Sequence, residues 1–174
     1  MLKGDNIVLR GVDLSDLQLI EKFENNPDNW MHSGTLIPFS KKSIEEYVLG
    51  IQDLANDKQY RWIIDLPAKR TSIGAIDLFE YDAVNRRAGI GIILEEEYRK
   101  NGFAAEAIDL LSNYAFSYLN LHQLWATILA FNIPSQKLFE KQGFKRTAVK
   151  KNWNLYSNEW HDEYFYQRFN SKTT

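Results

Sequence analysis

Tyr98-Arg99-Lys100-Asn101-Gly102-Phe103-Ala104 joins an apolar stretch to a long helical one through a basic turn that contains a glycine. Before it, Ala88-Gly89-Ile90-Gly91-Ile92-Ile93-Leu94 is apolar throughout, the pattern of a strand buried on both faces. After it, Phe103, Ala107, Leu111, Ala115 and Tyr118 recur at helical spacing, and Ile108, Leu110 and Leu119 widen the stripe. A helix start leaves its first amide N–H groups unpaired and carries partial positive charge, so this turn can hold an anion with main-chain donors. Gly102 lets the anion approach the backbone. Taken alone, the turn is equally compatible with ordinary loop chemistry, with Arg99 and Lys100 simply solvated.

A second block has marked ends of its own. In Asn132-Ile133-Pro134-Ser135-Gln136-Lys137-Leu138-Phe139-Glu140-Lys141-Gln142-Gly143-Phe144, Asn132 is a capping residue and Pro134 falls in the first turn, where a missing N–H costs nothing. Gly143 supplies the left-handed stop. The run Leu124-Trp125-Ala126-Thr127-Ile128-Leu129 before it reads as another buried strand. Strand, helix, strand and helix thus follow one another from Arg87 to Gln142, with the first helix long enough to cross between parallel strands. Ligands of such units bind beyond the carboxyl ends of the strands, where the Arg99–Ala104 turn and Asn132 both lie.

The spacing of Arg99, Gly102 and Ala104, followed by the Asn132–Phe144 block, resembles the paired acetyl-CoA motifs of the GNAT N-acetyltransferases. Asn85-Arg86-Arg87-Ala88, Glu97 to Gly102 and Leu119-Asn120-Leu121-His122 resemble in particular the diamine and spermidine N-acetyltransferases, and also the amino-terminal acetyltransferases of ribosomal proteins. The core of the likeness runs from about Arg61 to Phe144. Ile7 to Arg10 and Asp13 to Leu17 fit the first strand and first helix, so the match covers nearly the whole chain. It implies an α/β (α+β) three-layer fold, a twisted mixed sheet of six to seven strands with helices on both faces, built as one domain over residues 1–174. It also implies acetyl-CoA as the acetyl donor. Its pantetheine would lie as a pseudo-strand along Ile92, Ile93 and Leu94, where the strand splays from its neighbour. The pyrophosphate would rest on the N–H groups of Lys100, Asn101, Gly102, Phe103 and Ala104, with Arg99 or Lys100 adding charge. Asn132 and Ser135 would meet the pantetheine, and Lys141 the nucleotide end. Gly89 and Gly91 would suit a bulge or a close approach.

Acyl transfer to an amine needs a proton acceptor, because an alkylamine with a pKa of about 10 is protonated at neutral pH. Asp77 and Glu80 are the candidate bases, acting through water, with backbone amides near Ile92 and Ile93 to hold the oxyanion. Acidic residues on a strand are more often merely solvated. Phe139 stands where many relatives carry a tyrosine that protonates the leaving thiolate, so the thiolate leaves unassisted or is met by water, Tyr81 or Tyr98. Gly89 stands where polyamine-acetylating relatives carry a glutamate. His122 reads as a packing residue at the wrong end of its strand, His32 as a loop histidine near the acceptor side, and Trp153, Trp160 and His161 as packed aromatics of a terminal strand pair.

The rest of the chain sets bounds. Its 174 residues are 44% hydrophobic, enough for a well-filled core, and no repeat, linker or low-complexity tract divides them. The formal charge of -2 lacks the basic excess of a general nucleic-acid binder. With no cysteine there is no disulfide framework, and the amino terminus lacks a long apolar segment, so a cytoplasmic enzyme without membrane attachment is expected. No metal-ligand spacing is present. Helices are expected from Asp13 or Ser15 to about Asn25, where Asn25-Asn26-Pro27-Asp28-Asn29 stops the first, and from Ser40 or Ser43 to about Ala55, with an irregular segment from Trp30 to Phe39 between them. Strands are expected at Tyr60–Asp65, Ser72–Tyr81, Lys145–Asn152 and Glu159–Phe169. Three functions remain open: acetylation of a small diamine or polyamine, with Glu45, Glu46, Asp77 and Glu80 available to hold a cation; acetylation of protein amino termini; or acyl-CoA binding without catalysis. The partner expected is a small amine, and homo-oligomer formation is left open.

Overall fold

The computed structural model describes residues 1–171, apart from the side chains of His32 and Ser33. Eight strands form one mixed sheet: β1 (Leu2–Lys3), β2 (Val8–Gly11), β3 (Tyr60–Leu66), β4 (Thr71–Asp82), β5 (Arg87–Leu94), β6 (Gln123–Leu129), β7 (Lys145–Tyr156) and β8 (Glu159–Phe169). Their order is β1-β2-β3-β4-β5-β6-β8-β7. Eight exceeds the six to seven expected, because Leu2–Lys3 turns back on Leu9–Val8 through a tight turn closed by the Gly4 N–H on the Ile7 carbonyl at 2.9 Å. Two residues carry no periodic pattern, so this strand is invisible in the sequence.

Six helices complete the described fold: α1 (Leu17–Glu24), α2 (Pro27–Ser33), α3 (Lys41–Leu49), α4 (Leu54–Asp57), α5 (Phe103–Ser117) and α6 (Ile133–Lys141). The first differs little from expectation, a single 3-10 turn at Leu14–Asp16 preceding it. Pro27 does not merely stop it. Asn26 accepts from the Asp28 N–H at 3.0 Å and Pro27 takes the first helical position, so a new helix begins there and runs to Gly34, which ends it at φ 72°. Pro is compatible with a helix start for the reason that bars it from the interior. Likewise the helix expected to reach Ala55 stops at Leu49. Gly50 follows, and Asp53 caps the separate α4 by accepting from Ala55 and Asn56.

The two faces of the sheet are buried by different helices. On one, Ala107, Ile108, Leu111 and Ala115 of α5 and Phe139 of α6 pack on Trp62, Ile64, Ile76, Leu78 and Ile90. On the other, Ile20 of α1 and Ile44 and Val48 of α3 cover Ile63 and Ala75. Each buried Ile, Leu, Val or Phe side chain among these contributes roughly 1.5–3 kcal/mol by leaving water. The bulge suggested for Gly89 and Gly91 is absent: β5 keeps an unbroken register with β4 from Gly89↔Phe79 to Leu94↔Gly74. The irregularity lies in β4, between Phe79 and Asp82, where Glu80 has φ 48°. The terminal hairpin also departs from expectation. Trp153 of β7 and Trp160 of β8 are 58% and 60% exposed, on the strand pair that ends the sheet. His161 does pack, edge-on against Phe131 at 4.8 Å.

Candidate active site

A fork in the sheet organises the site. β5 and β6 are parallel, and their pairing stops at Gly89↔Trp125, after only three residue pairs. Strand alternation decides which groups face the gap beyond it. The Arg86 carbonyl accepts from the His122 N–H across to β6 at 2.6 Å, and the Leu94 carbonyl accepts from Arg99 Nε at 3.1 Å, whereas the Glu95 N–H turns back to the Ile73 carbonyl of β4. Even-numbered residues of β5 therefore address the gap. Ile92 turns its N–H and C=O into it, while Ile93 pairs with Ala75 and sends its side chain to the α1 and α3 face. From the other side of the fork, Thr127 of β6 faces Ile92. Such strand-edge groups need a partner.

The open end of the fork carries both sequence motifs. The chain leaves β5, makes a 3-10 turn at Glu96–Tyr98, and enters α5 with Lys100 at φ 64° and Gly102 at φ 88°. Gly102 occupies the N-cap position with no side-chain cap, so the first N–H groups of α5 are left without a local side-chain acceptor. A Cβ at Gly102 would meet nothing within 4 Å, so the space above it is open. Arg99, Lys100 and Asn101 are exposed and Phe103 and Ala104 half-buried around it. Asn132, at the end of β6, caps α6 by accepting from the Ser135 N–H at 3.2 Å. The structure thus brings Ile92, Leu94, the Arg99–Ala104 turn, Asn132 and Ser135 to one end of the fork. Lys141 is exposed at the far end of α6, about 13 Å along its axis at 1.5 Å per residue.

The two candidate bases lie on β4 in different settings. Asp77 pairs with Gly91, beside the fork, and its carboxylate accepts from Arg61 Nε and Nη2 at 2.8 Å each. Arg61 Nη1 donates to Glu24 of α1, and the Tyr47 ring lies 5.8 Å from the guanidinium. One cation therefore faces two carboxylates in a half-buried cluster. Burial works against the Arg61 charge, but Asp77, Tyr47 and Glu24 outweigh it and hold the guanidinium well above its ordinary value. Tyr47 is pushed up to about 12, chiefly by burial, and stays protonated. Glu80 is exposed, at the bulge past the closed end of the fork.

Arg61, Glu24 and Tyr47 were not singled out from the sequence. An arginine inside the apolar run Tyr60-Arg61-Trp62-Ile63-Ile64 is the one signal that marks them. Phe139 is 3% exposed and edge-on to Phe144 at 5.1 Å, inside the core. His122 packs near Phe169 at the closed end, and the side chain of His32 lies outside the described residues. Among the described residues no helix is long and apolar enough to cross a membrane.

The fork, the glycine turn and the capped α6 are one geometry, and the acetyltransferase (GNAT) domain family matches residues 6–145 of this sequence. The chain belongs to the GNAT acetyltransferases. Within that family it is 29% identical over 162 residues to the uncharacterised N-acetyltransferase YoaA of Bacillus subtilis, covering 91% of this chain and 89% of that one. It is 29% identical over 142 residues to the spermidine N(1)-acetyltransferase of Vibrio cholerae, covering 81% of this chain and 80% of that one. A crystal structure of the Vibrio cholerae spermidine N-acetyltransferase with CoA and spermine superposes with a TM-score of 0.86 at 23% identity, covering 97% of this chain and 98% of that one. That likeness establishes the GNAT fold, the sheet here having eight strands. As a GNAT acetyltransferase the protein is an N-acetyltransferase.

Proposed function

We propose that this GNAT enzyme transfers the acetyl group of acetyl-CoA to the primary amino group of a small amine, of the diamine or polyamine class on which its spermidine-acetylating relatives act. The fork carries the reading. Main-chain groups of Ile92 and Thr127 lack strand partners, and an amide-bearing arm laid between β5 and β6 satisfies them as an added strand would. Lys100 to Ala104 would hold the diphosphate on their N–H groups, with the open space over Gly102 admitting it and Arg99 or Lys100 adding charge. Asn132 and Ser135 would line the arm from β6, and Lys141 would serve the nucleotide end.

Acetyl-CoA supplies a thioester whose carbonyl carbon accepts the amine. The Ile92 N–H is aimed into the gap and would donate to the oxygen that gains charge, the role of a preorganised oxyanion donor. Only the neutral amine attacks, so a proton must leave it. Of the two carboxylates proposed for this, Asp77 is the better placed: it sits across from Gly91 at the fork, and Arg61 fixes its orientation. It would take the proton through water, while Glu80 lies past the closed end. The excess carboxylate of the Arg61, Asp77 and Glu24 cluster favours a cationic acceptor on that face. Phe139 donates no proton to the thiolate, and a thiol pKa of about 8.5 makes unassisted departure tolerable. The absence of cysteine suits the cytoplasm.

A peptide amino terminus is a second reading, favoured by the exposure of Leu36 and Ile37, 90% and 74%, in the loop between α2 and α3. Acetylation assays with putrescine, spermidine and short peptides separate the two. Steady turnover on the diamine or polyamine supports the proposal, and turnover on peptides alone overturns it.

A further inference from the structure

Three aromatic rings lie beside the fork on the sheet face that α1 and α3 partly cover, outside both cores. The hydrophobic cluster that the helices form on that face takes in Ile63 and Ala75, with Ile93 beside them. The next side chains across it are Phe79 of β4, Trp125 of β6 and Phe165 of β8. Phe79 meets Trp125 edge-on at 5.0 Å, and Trp125 stacks on Phe165 at 5.5 Å and 24°. All three are partly exposed. None belongs to either hydrophobic cluster.

Gly89 explains how the row fits together. It pairs with Phe79 on one side and Trp125 on the other, at the last rung before the strands part. A Cβ at Gly89 would fall 2.4 Å from Cε2 and 2.5 Å from Cζ of Phe79, so the phenyl ring fills the space a side chain at 89 would need. At Gly91, one step further into the fork, Phe79 Cε1 stands off at 3.5 Å. The surface immediately below the fork is therefore aromatic, and the charge beside it on the same face is the Asp77 carboxylate, already paired with Arg61. An amine reaching the gap from this face meets π-faces with the carbons next to its nitrogen, and such contact stabilises an apolar body in proportion to the area removed from water. Facing rings also attract an ammonium without pairing it to a carboxylate.

We propose that Phe79, Trp125 and Phe165 form the acceptor-selecting surface, and that the acceptor is a primary amine borne on an apolar or aromatic body that lies along these rings. This rests on the amine-acetylation reading and departs from its diamine or polyamine class: the group recognised beside the reactive nitrogen is carbon, and a second ammonium is not required there. Gly89 is part of the device, because any side chain at that position displaces the Phe79 ring.

The test is steady-state kinetics of the full chain at saturating acetyl-CoA with 2-phenylethylamine, 1-hexylamine, putrescine and spermidine. The two apolar amines are expected to exceed putrescine in kcat/KM by about tenfold or more, the scale of two buried methylenes. Phe79→Ala is expected to remove most of that advantage through KM, with the CoA dissociation constant from calorimetry unchanged. The double variant Phe79→Ala with Gly89→Glu, which has room for the carboxylate, is expected to turn the preference toward spermidine. Phe165→Leu, at the open end of the row, tests the same surface should Phe79→Ala fold poorly. If the wild type prefers putrescine or spermidine and neither Phe79→Ala nor Phe165→Leu alters the ranking, the aromatic selection is wrong while amine acetylation stands. If the protein binds CoA and acetylates none of the four amines, both fall.

Discussion

Arg61 of β3 grips Asp77 of β4 in a two-pronged contact, Nε to Oδ1 and Nη2 to Oδ2 at 2.8 Å each, and reaches Glu24 of α1 with its remaining prong. The ion pair ties the sheet to α1, and it stands one strand away from the fork. Removing the guanidinium leaves two carboxylates facing each other at low exposure. Arg61→Ala is expected to lower stability by about 3 kcal/mol, the cost of breaking a largely buried pair. Asp77→Asn keeps one of the two hydrogen bonds from Arg61, because its amide NH2 cannot accept the other, and removes a charge while Glu24 still pairs the guanidinium, so it is expected to cost less stability and more activity. Urea denaturation and initial rates on the two variants check both; equal stability losses contradict the paired geometry.

Glu106 gives a pH signature to the β1–β2 edge. Burial alone would push its carboxyl up, but the Asn6 N–H at 2.8 Å, the Asn6 side chain at 3.0 Å and the Ile7 N–H at 3.3 Å hold it below the ordinary carboxylate range. A depressed folded value means stability that is present above the unfolded pKa of about 4.3 and is lost as pH falls through the folded value. The wild type is therefore expected to lose more Tm than Glu106→Gln between pH 5 and more acid conditions, to about pH 3, in thermal scans. Parallel curves would sink this assignment.

Gly102 has φ 88° over open space. A β-branched residue there is strained by roughly 1–3 kcal/mol and covers the α5 N–H groups. Gly102→Val is expected to weaken CoA binding by more than about tenfold, while Gly50→Ala, in a conformation any residue adopts at φ -67°, leaves it intact. Calorimetric titration of the two variants decides the matter.

Phe139 lies 3% exposed against Phe144 and the sheet. A tyrosine here buries a hydroxyl in this cluster, at an expected cost of about 1–3 kcal/mol if it stays unpaired. Phe139→Tyr is thus expected to lower Tm with no rise in kcat. A rise in kcat would show that the ring edge reaches the leaving thiolate.

Much of this layout is legible in the chain. Local signals mark the strand before Tyr98, the helix after Gly102, and both ends of α6 at Asn132 and Gly143, because propensity, capping and periodicity agree there. Pro27 misleads when read as a stop, since the same residue opens α2 once Asn26 caps it. What escapes is set by tertiary register. Asp77 is an ordinary strand carboxylate until β3 places Arg61 beside it, and Gly89 is an ordinary strand glycine until the Phe79 ring lies over it. Trp153 and Trp160 look like core aromatics by composition and are exposed because their strand pair ends the sheet.

Amide hydrogen exchange with and without CoA addresses the fork most directly. The Ile92 N–H faces the gap and the Ile93 N–H is paired with Ala75, so CoA is expected to slow exchange at Ile92 and leave Ile93 unchanged. An Ile92 amide that exchanges equally fast in the presence of saturating CoA contradicts a thioester arm seated between β5 and β6.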